Sequence, residues 1–367
     1  MKFKNNKKIY LYGFLIFIGI FLLVFTEHDA FMYHEPIVRI ERIDNGKKQT
    51  QQDQFQNKDY TVKQNIRGIV LNGKNRGKTV RLKNTYSESG AMDCRYTEHS
   101  QIFVSSFSRR DHHLTATIVG YKRDIVVILM AWLVVSIMIV LFNDIVVKTL
   151  FSLLINTCIF FGSIFIYLKW QNLNVFAVFS VVSILFAVLT LRIVLGWNQQ
   201  MLVTLLSTLL GMSLTIGLSY LVFKFNKQWG IEYEALSYVT VPLQPLFLSE
   251  TLIGALGAVM DDSTDIVSML FALKQERPDV DRKTLFKSGI NIGQSIMGPL
   301  INVLFLIFIA SVLPLAIMFV KNGNTLGYTY TMTMSLGVIQ SLISGIGIVV
   351  SIPIASWLTS LMIVKRR

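Results

Sequence analysis

Long apolar runs separated by short polar segments fill most of the chain. Beyond Asp124 they lie at about 125–142, 149–168, 174–191, 201–223, 244–261, 290–320 and 343–364. Each is close to the roughly 20 residues that an α-helix needs to cross a hydrocarbon core of about 30 Å. Because a backbone in lipid must satisfy its own hydrogen bonds, and because the runs do not alternate as barrel strands do, they predict seven transmembrane helices.

An eighth apolar run, from Ile9 to Phe25, follows four lysines at the N-terminus. This basic start is typical of a signal sequence. However, the run has 17 residues, longer than a typical signal-peptide core, and Thr26-Glu27-His28 offers no small-residue cleavage site. We therefore expect residues 1–25 to form an uncleaved signal-anchor transmembrane helix.

Between this anchor and the second span lies a polar segment, residues 26–123, with 17 Lys and Arg, 11 Asp and Glu, and all five histidines. Three short β-branched stretches in it predict strands: 67–71, 78–82 and 101–105. Asn72-Gly73 and Arg76-Gly77 are turn signals between the first two. The segment is thus expected to be a small β-rich domain, with the glutamine-rich stretch 51–56 in a loop.

The composition agrees with a chain solvated mainly by lipid. Of the 367 residues, 52% are hydrophobic and 16% are charged, where a soluble domain has roughly 25% charged residues. The net charge of +13 does not predict a nucleic-acid partner, because the loops of membrane proteins collect Lys and Arg for orientation. The expected partner is the lipid bilayer.

The distribution of basic residues predicts an orientation. One set of loops, together with both termini, carries fourteen Lys and Arg, and the opposite short loops carry four. By the positive-inside rule both termini are expected to be cytoplasmic and residues 26–123 extracytoplasmic. The expected architecture is a mainly α membrane protein with about eight transmembrane helices and the β-rich domain between helices 1 and 2.

The metal-ligating residue types are scattered. Cys94 lies in a polar segment and Cys158 in an apolar run, so neither a disulfide nor a metal-ligand cluster is expected. Asp111, His112 and His113 could in principle bind a metal, but three adjacent side chains point in different directions. A solvated loop is the favoured interpretation, and no cofactor is expected.

The sixth span carries a small and acidic face. At 100° per residue, five residues fall on it: Glu250, Gly254, Gly257, Asp261 and Asp265. Small residues let a neighbouring helix approach closely, and carboxylates within a bilayer usually face the bundle interior or a water-filled path. The alternative is that Asp261 lies near the inner interface and that Asp262 or Ser263 caps a cytoplasmic amphipathic helix.

The seventh span carries a polar stripe with intervals of four, three and four residues: Asn291, Ser295, Gly298 and Asn302. Gly289 and Gly293 add a surface for close packing, and Pro299 removes a backbone donor and is expected to kink the helix. Kinked, polar, glycine-rich helices are typical of transport sites. The alternative is interhelical packing through Asn and Gly alone.

The acidic residues argue against an enzyme. Intramembrane aspartyl proteolysis needs carboxylates on two facing helices, and no Asp or Glu occurs from Arg282 onward. The earlier spans offer only Asp124 and Asp144, at their edges. Zinc motifs, GxSxG elbows and P-loops are also missing from the membrane part of the sequence.

Two stretches, Gly254 to Asp261 and Ser288 to Asn302, resemble the YibE/F-like family of bacterial multipass membrane proteins. The order of parts also agrees: a single N-terminal span, a β-rich external domain, and a seven-helix domain at 124–367 that contains Ser344 to Pro353. The resemblance implies a protein of the bacterial cell membrane. It implies no reaction, because the family is generally described as membrane or transport proteins without an established activity.

The chain departs from the family pattern at two places. Gln294-Ser295 stands where relatives usually have a basic residue followed by Asp, and Pro299 replaces a small polar residue. If the acid is functional in relatives, this chain either has lost that role or works beside a second, homologous membrane subunit.

Two functions remain as hypotheses. In the first, the chain is a transporter or permease component for a small solute or ion. The residues of its polar path would be Asp261, Asn302, Ser295, Glu250 and Asn291. In the second, it is a non-transporting membrane scaffold whose external domain binds a partner or an envelope component.

Overall fold

The computed structural model describes residues 2–52, 54, 56–90, 93–105, 107–110, 113–142, 144–170, 173–225, 231–233 and 242–364. The chain divides into two compact units, residues 1–143 and 144–367. The first contains two helices and a β-sheet, and the second contains only helices among its described residues.

The helices have the following bounds: α1 (Lys2–His28), α2 (Asp124–Phe142), α3 (Asp144–Lys169), α4 (Val175–Leu195), α5 (Gln199–Phe225), α6 (Leu243–Glu276), α7 (Arg282–Lys321), α8 (Leu326–Thr329) and α9 (Ser335–Val364). A π-helical turn, Tyr330–Met334, joins α8 to α9. Within the described residues, eight helical segments are long and apolar enough to cross a membrane, with Leu326–Ile363 taken as one. The predicted number of long apolar helices is confirmed.

The last helical segment begins well before the predicted span at 343–364. The intervening stretch is rich in Thr and Ser, which in sequence resembles a loop. In the structure each of three hydroxyls donates to the carbonyl four residues earlier: Thr331 to Gly327 (3.0 Å), Thr333 to Thr329 (2.7 Å) and Ser335 to Thr331 (2.6 Å). The hydroxyl groups thus form their hydrogen bonds with the helix backbone, and the helix continues through these polar residues.

The sheet of the first unit has eight strands: β1 (Ile37–Asn45), β2 (Gln49–Gln52), β3 (Lys58–Val70), β4 (Thr79–Ser87), β5 (Gln101–Val104), β6 (Ser108–Arg110), β7 (His113–Thr115) and β8 (Ile118–Tyr121). Their order is β6-β7-β4-β3-β1-β5-β8, with β2 on β3. The consecutive strands β7 and β8 pair with β4 and β5 respectively, so the sheet curls around its core. Ile40, Ile66 and Leu82 are among the buried core residues.

Alternation along the strands places this core on one side. In β3, Val62, Gln64 and Ile66 are buried, and Lys63, Asn65 and Arg67 are exposed. The three predicted strands and the turn between the first two are confirmed. Gly73 and Gly77 adopt positive φ angles of 72° and 81° in that turn, a conformation that glycine adopts without a steric penalty.

Two loop predictions need correction. Gln51 and Gln52 are not in a loop, because they belong to β2 and pair with Asp59 and Lys58 of β3. Backbone pairing holds this exposed strand although its side chains are all polar. In the predicted loop 109–113, Arg109 and Arg110 belong to β6, and His113 belongs to β7 and pairs with Arg110; Asp111 and His112 lie outside the described residues.

A buried ion cluster joins the sheet to both helices of the first unit. The Lys122 side chain is 1% exposed, and its Nζ lies 2.7 Å from Asp29 and 3.1 Å from Asp124, the first residue of α2. The same Nζ donates to the carbonyl of Thr26 in the last turn of α1 (2.8 Å). The Tyr33 hydroxyl donates to Asp124, and this hydrogen bond, with burial, raises the pKa of Tyr33.

Helices α1 and α2 also pack directly on each other. A Cβ at Gly19 would lie 2.7 Å from Cε2 of Trp132, so the indole occupies the space above this glycine. The anchor helix, the sheet and the second helix therefore form one compact unit.

In the second unit, α9 lies among α5, α6 and α7. Helices α3 and α4 are joined by polar contacts, in which Asn156 and Ser152 donate to Thr190 (2.7 and 3.2 Å). Such hydrogen bonds between helices stabilise packing where lipid offers no polar partner.

Candidate functional site

Three helices of the second unit converge at two glycines. A Cβ at Gly211 of α5 would lie 3.2 Å from Val259 of α6 and 3.5 Å from Ser351 of α9. A Cβ at Gly347 of α9 would lie 2.7 Å from Val259 and 3.4 Å from the Thr215 hydroxyl of α5. The missing side chains thus permit α5, α6 and α9 to approach closely around Val259.

Asp262 lies inside this junction. It stands near the middle of α6, which has 34 residues and is thus about 50 Å long. Its neighbours on the buried face, Val259 and Ile266, are 0% exposed, and so is Asp262 itself. A carboxylate in such a position is costly unless its charge is paired or neutralised, which makes it a candidate functional group.

Ser351 of α9 is the hydrogen-bond partner of Asp262. The Ser351 hydroxyl contacts one carboxylate oxygen, Oδ2, and also lies 2.8 Å from the carbonyl of Ile348. A hydroxyl has one proton. When Asp262 is ionised, Ser351 can donate to it. When Asp262 is protonated, the carboxyl can donate to Ser351, and Ser351 then donates to Ile348.

This arrangement gives both protonation states of Asp262 a satisfied hydrogen bond to α9. The second oxygen, Oδ1, is buried and has no hydrogen-bond partner among the described residues. Because a buried oxygen without a partner is unfavourable, this atom is where a proton or a cation would be stabilised.

Hydroxyl groups line the α5 side of the junction. Gln200 donates to Ser268 (2.8 Å) and Gly211 packs on Val259, so the antiparallel register of α5 and α6 places Ser207 and Thr208 level with Asp262. Both residues are 0% exposed. Their hydroxyls donate to backbone carbonyls of α5 at 2.8 and 2.9 Å.

Because those protons are directed to the backbone, the hydroxyl lone pairs remain available as acceptors or ligands. Within the described residues no group of three His, Cys, Asp or Glu side chains could hold a metal ion. One carboxylate bonded to the Ser351 hydroxyl, with further hydroxyls at the same level of α5, is a donor set suited to a proton or a monovalent cation, since divalent sites generally use more charged ligands.

The residues that the sequence assigned to a polar path lie elsewhere. Glu250, Asp261 and Asp265 are exposed on α6, and Asn291, Ser295 and Asn302 are exposed on α7. Ser295 donates to the carbonyl of Ile292 (2.7 Å). Across the residues that the structure describes, no hydrogen bond joins these two polar faces.

The glycines of these two helices differ in their surroundings. A Cβ at Gly254 would lie 2.9 Å from the Gln340 amide of α9, whereas a Cβ at Gly257 or Gly298 would meet no atom of another described element within 4 Å. Gly289 and Gly293 are buried, against Ser356 and Ile352 of α9 respectively. Helix α7 continues through Pro299 without interruption.

The alternative of a helix cap at Asp262 or Ser263 is wrong. Helix α6 runs unbroken to Glu276, because the buried apolar positions Val259, Ile266 and Leu270 continue with helical spacing on both sides of Asp262. The same spacing was the signal that could have identified Asp262. It places this acid, and not Asp261, on the apolar face that packs into the bundle.

Eight long apolar helices among the described residues, with a buried polar junction between three of them, are typical of a helical membrane protein. The profile of the YibE/F-like protein family matches residues 130–365, and that of the YibE/F family N-terminal domain matches residues 31–121. The chain therefore belongs to the YibE/F-like family. Comparison with curated proteins and with solved structures found no significant match.

Proposed function

We propose that the chain is a transporter or permease component, and not an enzyme, in which Asp262 binds a proton or a monovalent cation coupled to the movement of a small solute or ion. The observation that carries this proposal is a fully buried carboxylate at the junction of three apolar helices. One of its oxygens is bonded to Ser351, and the other has no partner among the residues that the structure describes. Intramembrane acids in such settings commonly act in ion or proton pathways.

The two-way hydrogen bond of Ser351 supports this role. When Asp262 binds or releases a proton or a cation, the Ser351 hydroxyl can rotate to keep a hydrogen bond to it. Both states of Asp262 are therefore stable enough to be populated. Because Ser351 lies on α9 and Asp262 on α6, a change in the charge of the carboxyl alters the contact between two helices. Such a change could bias their relative position.

For the orientation, we propose that both termini are cytoplasmic and that residues 26–123 face the outside of the cell membrane. The support is the fourteen-to-four distribution of basic residues between the two sets of loops.

The first test of the function is flux through the reconstituted protein. We expect liposomes containing the purified chain to dissipate an imposed proton or sodium gradient faster than empty liposomes, measured with a pH-sensitive or sodium-sensitive dye. Addition of a soluble extract of small metabolites should accelerate this flux if a solute is coupled to the ion. Gradients that decay at the rate of empty liposomes, with and without the extract, would contradict ion coupling.

The exposed polar faces of α6 and α7 support a further part of the proposal, a second YibE/F-like subunit. Acidic side chains facing lipid are costly, and the glycines between them permit close approach of another helix. We propose that a second copy or a homologous subunit covers the face formed by Glu250, Gly257, Asp261 and Asp265.

Cross-linking tests this interface. In a chain whose Cys94 and Cys158 are replaced by serine, Gly257→Cys should give a disulfide-linked adduct in oxidised membranes. Mass spectrometry should identify the adduct as two copies of this chain, joined through the introduced thiols, or as this chain joined to a homologue that presents a cysteine of its own at the interface. Gly217→Cys is the matched control, because Gly217 is also exposed on a long apolar helix and also has nothing within 4 Å. Equal cross-linking of the two variants would count against the interface.

A further inference from the structure

The outer face of the sheet carries a row of arginines across three adjacent strands. Arg42 of β1 is paired with Arg67 of β3, and Arg67 is paired with Arg81 of β4. Paired residues project from the same face of a sheet. Since neighbouring strands lie about 4.8 Å apart, the three positions span about 10 Å.

More positive charge surrounds this row. Lys63 lies four residues from Arg67 and Lys83 lies two residues from Arg81, both on the same face as the arginines, and all five basic side chains are exposed. The nearest counter-charge is Asp44, whose carboxylate lies 3.3 Å from Arg42. Among the described residues, no carboxylate lies within ion-pair distance of Arg67 or Arg81.

Like charges placed directly opposite each other destabilise a sheet. The sheet has two such pairs in succession, so its stability alone does not account for them. Binding of an anionic ligand would account for these pairs, because the ligand's negative charge attracts all the arginines and offsets their repulsion of one another.

Three of these side chains, those of Arg67, Arg81 and Lys83, line a groove with a volume of about 610 Å³. Its polar lining consists of Asp44, Asn65, Arg67, Arg81, Lys83 and Thr115, together with Thr117. Thr115 reaches the groove because β7 pairs with β4, which places Thr115 directly beside Arg81. The volume lies within the range of small-molecule sites, about 300–1,000 Å³.

We propose that this groove binds an anionic ligand that carries at least two phosphate groups. Guanidinium groups match phosphate oxygens in paired hydrogen bonds. The two guanidinium groups in the groove, with Arg42 next to Arg67 in the row, favour an extended ligand over a single ion. The lysine, the amide and the hydroxyls supply further donors at its edge. This site is independent of the proposed transport role, because it uses only residues of the first unit.

Binding of tripolyphosphate to the full-length chain in a neutral detergent tests the proposal by calorimetry. We expect the double variant Arg67→Gln/Arg81→Gln to bind roughly 100-fold more weakly, since each charge-assisted contact contributes about tenfold. Orthophosphate should compete only at much higher concentration. Competition by orthophosphate at the same concentration as tripolyphosphate would overturn the assignment of a ligand with several phosphates.

The matched control is Lys74→Gln/Arg76→Gln, which removes two positive charges from the exposed turn between β3 and β4. This control should bind tripolyphosphate within about twofold of the unaltered chain, since its charges lie outside the groove. Equal weakening in both double variants would show non-specific attraction and overturn the proposal. The groove variant should also melt at the same or a higher temperature than the unaltered chain, since a repulsive pair is removed. A lower melting temperature would mean that the arginines stabilise the sheet.

Discussion

Asp262→Asn should abolish ion-coupled flux while the chain still folds. The substitution keeps the size of the side chain and can keep a hydrogen bond to Ser351, but it removes the negative charge that binds a proton or a cation. Hydrogen bonds to charged groups contribute about 1.5–3 kcal/mol, which corresponds to a loss of about tenfold to about 100-fold in ion affinity. The measurement is the decay of an imposed gradient in liposomes, compared with the melting temperature in detergent.

The control for this variant is Asp261→Asn, the same chemical change at the next residue. Asp261 is exposed, and Asp262 is fully buried. Flux should be retained in Asp261→Asn. If flux is lost in Asp261→Asn and kept in Asp262→Asn, the exposed polar path predicted from the sequence is the functional one. If Asp262→Asn also fails to fold, the acid has a structural role.

Lys122→Met should destabilise the first unit severely. It removes the cation that pairs with Asp29 and Asp124, whose side chains are 6% and 25% exposed. The carboxylates then remain close together without their partner. Breaking a buried ion pair in this way costs about 3–5 kcal/mol, a large part of the stability of a domain of ordinary size. Thermal unfolding in detergent and the rate of proteolysis of the sheet would measure the effect.

Arg123→Met provides the control for this second substitution. It removes one positive charge at the next residue, where the side chain is exposed, and should change the unfolding free energy by less than about 1 kcal/mol. A triple variant, Asp29→Asn/Lys122→Met/Asp124→Asn, should recover part of the loss because no unpaired charge remains. Equal stability of Lys122→Met and the unaltered chain would mean that the cluster contributes nothing.

The sequence could predict the long helices and the central strands because both rest on strong periodic signals. Apolar runs of about 20 residues have one stable solution in lipid, and the turn at Gly73 and Gly77 was marked by its glycines. The start of the last helical segment was missed because polar residues there form hydrogen bonds with their own helix backbone, as at Thr331 and Thr333. The polar strand at Gln51 was also missed, because backbone pairing holds it.

The candidate site was only partly visible for a different reason. Acidic residues on α6 could be recognised, but choosing between Asp261 and Asp262 depends on which face meets α5 and α9. Ser351 is 89 residues from Asp262 along the chain, and no local pattern connects them. The arginine row likewise depends on strand register, since Arg42 and Arg81 meet Arg67 from different strands.

The position of Lys122 has a mechanical consequence. One ammonium group holds the last turn of α1 through Thr26 and the first residue of α2 through Asp124. The C-terminal end of α1 and the N-terminal end of α2 are thus held by the same side chain beside the sheet. A displacement of the sheet, for example on ligand binding, would therefore move the adjoining ends of both helices together.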